Sequence, residues 1–205
     1  MRHAFVALAF ATLAAPLAAQ NPPAQAPGAP DPARVKAGSY TVDGAHTQVV
    51  WTVNHFGINA YNGIFGDVSG TLTLDPARPA ASKLSVTIPI AKVATTSEGL
   101  NKHLMTGDFF EVEKYPTATF VSTRIEPQGT RARITGNLTL RGVTKPVTLD
   151  ARFIGAGDNP MNKKATIGFE ATTTINRSDF GIAYGIPMVA DRVDLRITAA
   201  FERQS

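Results

Sequence analysis

The feature that most constrains this chain is a period-two alternation of apolar and polar residues between positions 40 and 201. It is clearest at 49–53, 84–88 and 195–198. Successive side chains of a β-strand point to opposite faces, so each segment presents one apolar face and one polar face. Because little helix is available to cover such strands, we expect an all-β protein whose sheet closes as a sandwich or a barrel.

About eight substantial strands follow an opening strand at 39–42, and short turns join most of them. Sequential antiparallel pairing is the simplest topology for such a series. Residues 57–62 are expected to form a loop. Residues 96–105 combine a capping Thr or Ser with apolar residues at helical spacing, which predicts one short helix near a barrel mouth. A barrel of about eight strands is just wide enough to hold one small ligand.

The first residues have the layout of a secretory signal peptide. Arg2 supplies a positive charge, residues 4–17 form an apolar run, and small residues precede Gln20. The run is shorter than the roughly 20 residues that a membrane-spanning helix needs. We therefore expect residues 1–19 to be cleaved as a signal peptide and the mature protein to be exported to the periplasm.

Residues 20–38 are rich in proline, alanine and glycine, a composition that buries too little apolar surface to fold. We interpret this segment as a disordered tether and residues 39–204 as one domain. The sequence contains no cysteine, which excludes disulfide bonds, a thiol nucleophile and a lipid-modified cysteine. No stable membrane anchor is expected.

The formal net charge of +4 comes from scattered basic residues. No run of Lys or Arg with interleaved stacking aromatics is present, so nucleic-acid binding is not expected. Weak attraction to anionic lipid head groups is the alternative to a simple solvated surface.

Six motifs lie in order along the domain, and one block between residues 103 and 120 is the most specific. They are Tyr40-Thr41-Val42-Asp43 with His46; Trp51-Thr52-Val53-Asn54-His55; Gly63-Ile64-Phe65-Gly66; His103-Leu104 with Asp108-Phe109-Phe110 and Tyr115-Pro116-Thr117-Ala118-Thr119-Phe120; residues 136–146; and residues 175–181. Together they resemble the YceI-like family, the exported polyisoprenoid-binding proteins of bacteria. The resemblance spans nearly the whole chain after residue 39, with Trp51 where phenylalanine is more usual.

The resemblance implies an extended, eight-stranded antiparallel barrel of lipocalin type with an apolar tunnel. In that family the tunnel holds a long isoprenoid or a fatty amide. We therefore expect the protein to bind a long-chain isoprenoid or a related fatty amphiphile, without a cofactor. A homodimer is a further expectation from the family.

Alternation and the motifs together indicate which side chains would line such a tunnel. The expected ligand contacts are Val49, Trp51, Val53, His55, Phe65, Leu104, Phe109, Phe120, Leu138, Phe169 and Phe180. The alternative is that these residues simply fill a solid core.

The histidines match no metal-ligand spacing, so no metal site is expected. We expect His46 to fix the first turn through Asp43 and His103 to orient the short helix through Asp108. His55, at the end of an inward face, is the candidate contact for a polar head group.

A binding module is the leading functional hypothesis, because no G-x-S-x-G motif or paired acids indicate an enzyme. One alternative is an enzyme that acts on a lipophilic substrate in the same pocket, with His55 or His103 in proton transfer. Another is a structural protein whose pocket is incidental. Arg177 is interpreted as a hydrogen-bond hub for loop carbonyls, with anion binding as its alternative.

Overall fold

One antiparallel sheet of eleven strands forms the wall of a barrel in the computed structural model, which describes residues 26–204. The predicted signal peptide and its cleavage site lie outside the described residues. The strands are β1 (Gly38–Val42), β2 (Gln48–His55), β3 (Asn59–Phe65), β4 (Ser69–Leu74), β5 (Lys83–Pro89), β6 (Val93–Ala94), β7 (Thr117–Gln128), β8 (Arg131–Leu140), β9 (Val143–Asp158), β10 (Ala165–Asn176) and β11 (Val189–Arg203).

The sheet closes because the long strand β11 pairs with two successive strands along one edge. Its C-terminal part pairs with β1, where Phe201 lies opposite Val42, and its N-terminal part pairs with β2, where Leu195 lies opposite Trp51. The closed circuit β1-β4-β5-β7-β8-β9-β10-β11 contains eight strands. The prediction of an eight-stranded antiparallel barrel is therefore confirmed.

Beyond this circuit, β2, β3 and β6 continue the wall toward one end of the barrel. The chain then forms the predicted short helix, α1 (Glu98–Leu104), whose first turn is capped when the Leu100 amide donates to the Ser97 hydroxyl. Leu104 packs into the same core cluster as Val49. Helix α1 is thereby fixed over the interior at this end of the barrel. Within residues 26–204, no helix combines the length and the apolar character needed to cross a membrane.

The predicted loop at residues 57–62 is wrong, because β3 already begins at Asn59. The turn between β2 and β3 is tighter than expected: Phe56 and Gly57 both have positive φ, and the Ile58 amide donates to the His55 carbonyl at 3.1 Å. Two central residues with positive φ are typical of the two-residue hairpin turn that matches strand twist. The composition of residues 57–62 is typical of a turn, although most of these residues belong to β3.

Part of the segment predicted to be a tether, residues 26–37, lies against β9, where Ala29 pairs with Ala156 at the strand edge that β8 leaves free. Ala29 and Ala156 exchange two backbone hydrogen bonds of 3.1 and 2.9 Å. Gly157 permits this approach, because a β-carbon there would lie 2.3 Å from the Pro27 carbonyl oxygen. The domain boundaries proposed from the sequence stay predictions.

Candidate functional site

A cavity of about 630 Å³ occupies the barrel interior beside helix α1. This volume lies in the usual range for small-molecule sites. Its wall is built mainly from aliphatic and aromatic side chains of β2, β3, β11, α1 and the loop 181–188. Phe56, Tyr184 and Met188 line the cavity and are also half or more exposed, which shows that it opens to solvent between the β2–β3 turn and the loop before β11.

Eight of the eleven predicted contact residues line this cavity. They are Val49, Trp51, Val53, His55, Phe65, Leu104, Phe109 and Leu138. Alternate residues of β2 point inward, because β2 pairs in register with β3 and β11 and has one face toward the core. The structure thus brings these side chains together, and their role as ligand contacts stays a prediction.

The other three predicted residues lie elsewhere. Phe169 lines a second, smaller cavity of about 200 Å³ toward the opposite end of the barrel. Phe120 and Phe180 are buried in a cluster with Leu138 and Val147, and line neither cavity. Alternation predicted the inward direction of Phe120 correctly, but it cannot show how far along the barrel a side chain lies.

Sequence reasoning missed the loop 181–188, which supplies Ile182, Tyr184 and Met188 to the cavity wall. Irregular segments have no periodic pattern, so alternation carries no signal there. The neighbouring motif at residues 175–181 was the one indication that this part of the chain has a special role.

Arg177 holds this loop in place, as the hub interpretation predicted. The residue is 6% exposed, and its guanidinium donates to the carbonyl oxygens of Ile182 and Tyr184 at 3.1 and 2.9 Å. Further bonds of 2.9 and 2.8 Å reach the carbonyls of Ala190 and Val189. Burial lowers the pKa of Arg177, and nearby Asp191 opposes that shift. Since four of its five N–H groups are engaged, the residue serves loop structure rather than anion binding.

Two histidines lie in the cavity wall near its opening. The His55 ring contacts the Phe56 ring in a tilted arrangement, with ring centroids 4.0 Å apart and an interplanar angle of 47°. His103 Nε2 lies 2.8 Å from the Asp108 carboxylate, as predicted, and its ring meets the Tyr184 ring edge to face. These groups place polar atoms beside an apolar chamber.

His46, the histidine of the first motif, lies outside the cavity wall. Its Nδ1 is 2.7 Å from Asp43 Oδ2, and this contact fixes the turn after β1. Across residues 26–204, no three His, Asp or Glu side chains lie close enough together to hold a metal ion.

Trp51 adds a polar atom deep in the wall. Its side chain is 92% buried, and its Nε1 has no hydrogen-bond partner among the described residues. The indole lies over Gly63 of β3, where a β-carbon would come within 2.0 Å of the ring. A buried N–H without an acceptor is costly, so Trp51 carries an unsatisfied donor within the packed wall between β2 and β3.

The chain matches the family model described as the YceI-like domain over residues 40–201. It is 43% identical over 164 residues to Protein YceI of Escherichia coli O157:H7, covering 79% of this chain and 85% of that protein. Its fold is similar to the crystal structure of Burkholderia cenocepacia BcnA, with a TM-score of 0.70, 28% identity and coverage of 78% and 98% of the two chains.

A third match is a Saccharophagus degradans domain described as polyisoprenoid binding and implicated in plant cell wall breakdown. The TM-score is 0.60 at 14% identity, with coverage of 82% of this chain and 100% of that one, a likeness that concerns the fold alone. The family match and the identity to the Escherichia coli protein agree with the barrel described above. The chain therefore belongs to the YceI-like family.

Proposed function

We propose that this protein is an exported bacterial lipid-binding protein that holds a long-chain isoprenoid or a related fatty acid or amide, for transport, storage or sequestration. The observation that carries the proposal is the open, almost wholly apolar cavity beside α1. The fold match to a domain described as polyisoprenoid binding supports the same ligand class. The signal-like leader supports export to the periplasm, and homodimer formation belongs to the proposal as an expectation from the family.

Burial of the chain alone supplies enough free energy for useful affinity. Each buried methylene contributes roughly 0.8 kcal/mol, so about ten carbons give on the order of 8 kcal/mol before association costs. Those costs consume several kcal/mol and leave micromolar or tighter binding. Such a site selects by chain length and width more than by head group.

The proposal also gives the bound molecule a direction. The head group lies at the opening, beside His55 and the His103–Asp108 pair, and the chain runs inward past Trp51 and Leu138.

Mass spectrometry of lipids extracted from freshly purified protein tests the proposal. The expected result is one chain lipid per binding cavity in the wild type and its loss in Ala118→Phe, which fills the cavity from a buried wall position. Ala60→Phe is the matched control, because Ala60 is exposed on β3 and its variant should keep the lipid. A wild-type protein that carries no lipid and binds none when it is added would contradict the proposal.

Catalysis on a lipophilic substrate is the second candidate function. It is favoured by the His103–Asp108 pair, since a carboxylate that orients an imidazole at a cavity wall is the arrangement of a general base. Turnover of an added lipid that disappears in His55→Ala or His103→Ala would support this function. Recovery of the added lipid unchanged after long incubation supports binding alone.

A further inference from the structure

The two cavities occupy one barrel interior and are arranged end to end. On β8, Leu138 lines the first cavity and Ile134 lines the second, with Gly136 between them. On β11, Leu195 lines the first and Ile197 the second. Because inward residues of a strand follow one another at every second position, these assignments order the two cavities along the barrel.

Two further strands place the boundary between the two cavities at the same level of the barrel. On β5, Ile88 lines the first cavity and Leu84 the second. On β7, Ala118 lines the first and Ile125 the second, and Phe120 lies between them. Phe120 is therefore at the level of the barrel that belongs to neither cavity.

Phe120 fills the interior at this level. Its side chain is 5% exposed, and its ring covers Gly136, where a β-carbon would come within 2.4 Å of Phe120 Cζ. Val86 lies opposite Phe120 on the neighbouring strand and packs in the same cluster. Because Gly136 has no side chain, the Phe120 ring can occupy the space above it. Phe120 and Gly136 together form a partition between the two cavities.

We infer that Phe120 sets the length of chain that the first cavity accepts, and that the second cavity is a reserve chamber for longer chains. This inference rests on the proposed function. The second cavity suits a hydrocarbon, because Leu72, Phe153, Phe169 and Phe201 contribute to its wall. Pro32 of the N-terminal segment also lines it.

Opening the partition would extend the available path considerably. Ala132, which lines the second cavity, lies four positions before Gly136, a distance of about 13 Å along a strand. The strand tilt usual in barrels reduces this to about 10 Å along the barrel axis. Several additional methylenes would fit in that length.

The test is a chain-length series of saturated fatty amides titrated against the wild type, Phe120→Ala and Phe120→Leu. For the wild type, affinity should rise roughly fourfold per methylene and then level off when the chain reaches the partition. For Phe120→Ala the rise should continue to longer chains by several methylenes. Phe120→Leu should give a smaller extension and provides a folded variant if the alanine variant is unstable.

Val93→Ala is the matched control, because Val93 is buried in the core and lines neither cavity. It should lower the melting temperature without moving the length at which affinity levels off. A folded Phe120→Leu protein with the wild-type length limit would overturn the inference while leaving the proposed function intact. Failure of the wild type to bind any member of the series would instead overturn the proposed function.

Discussion

Among single residues, Trp51 shows what a sequence can and cannot tell about this site. Its inward direction follows from the alternation of β2, and the structure places it in the cavity wall as predicted. The unpartnered Nε1 could not be predicted, because it depends on how the indole lies across Gly63 of the next strand. The wall residue Tyr184 was not predictable either, since its loop has no period.

Replacing Trp51 by phenylalanine should separate the contribution of its aromatic contact area from that of its indole N–H. Trp51→Phe keeps an aromatic wall and removes an N–H that is buried within the wall, so affinity for a fatty amide and for an alkane of equal length should fall to the same small extent. Trp51→Ala should weaken both ligands, because it also removes apolar contact area.

Tyr61→Phe is the control for this pair of titrations, because Tyr61 lines the same cavity and its hydroxyl already lies 3.4 Å from that of Thr96. It should not change the preference for amide over alkane. Loss of amide affinity without a matching loss of alkane affinity in Trp51→Phe would show that the indole N–H does contact the bound molecule.

Among the structural elements, strands with a clean alternation were predictable and irregular segments were not. The strand β3 was missed at its start because Asn59 and Asn62 are typical turn residues; Asn62 in fact accepts a hydrogen bond from Thr52 on β2. The contact between residues 26–37 and β9 was also not predictable from the sequence. It depends on glycine at 155 and 157, whose significance appears only when another segment comes close.

Gly157→Ala should release that N-terminal segment from β9. The new β-carbon would lie 2.3 Å from the Pro27 carbonyl oxygen, closer than atoms can approach, so the backbone at Pro27 must move. Hydrogen exchange at the amides of Ala29 and Ala156 should become faster, while the melting temperature changes little. Gly66→Ala, with no atom within 4 Å of the added carbon, should leave exchange unchanged. Full protection of Ala29 in Gly157→Ala would contradict this account.

The turn between β9 and β10 is tied to β11 through Glu202. Asn162 Nδ2 and Lys164 Nζ donate to its carboxylate at 2.6 and 3.0 Å and lower its pKa, with the Asn162 bond as the larger cause. A depressed pKa in the folded state means that the stabilisation is present above the unfolded value, near 4.3, and is lost as pH falls through the folded value.

Urea unfolding measured from pH 6 to pH 3 checks the contribution of Glu202. The free energy of unfolding of Glu202→Gln should be lower than that of the wild type at pH 6, and the difference should shrink as the pH falls. Glu98→Gln is a suitable control, because Glu98 lies exposed at the start of α1. Parallel pH profiles for Glu202→Gln and the wild type would rule out the linkage.

For the barrel as a whole, alternation limited the fold to a closed β structure and the six motifs indicated its lipocalin-like form. The division of the interior was not predictable, because it arises from packing across strands. A register shift in the β7–β8 pair between Ser122 and Arg124 changes which residues of β7 point inward, and alternation alone does not reveal it. The space left over Gly136 likewise becomes visible only when Phe120 is seen to occupy it.

The single tryptophan of the sequence offers a direct test that a chain lies inside the barrel. Trp51 is buried in the cavity wall, so a fatty amide brominated along its chain should quench its fluorescence, saturating at one ligand per protein. The unbrominated amide should bind without quenching, and adding it in excess should restore the signal. Saturable binding of the brominated amide with unchanged Trp51 fluorescence would place the chain outside the cavity and contradict the account.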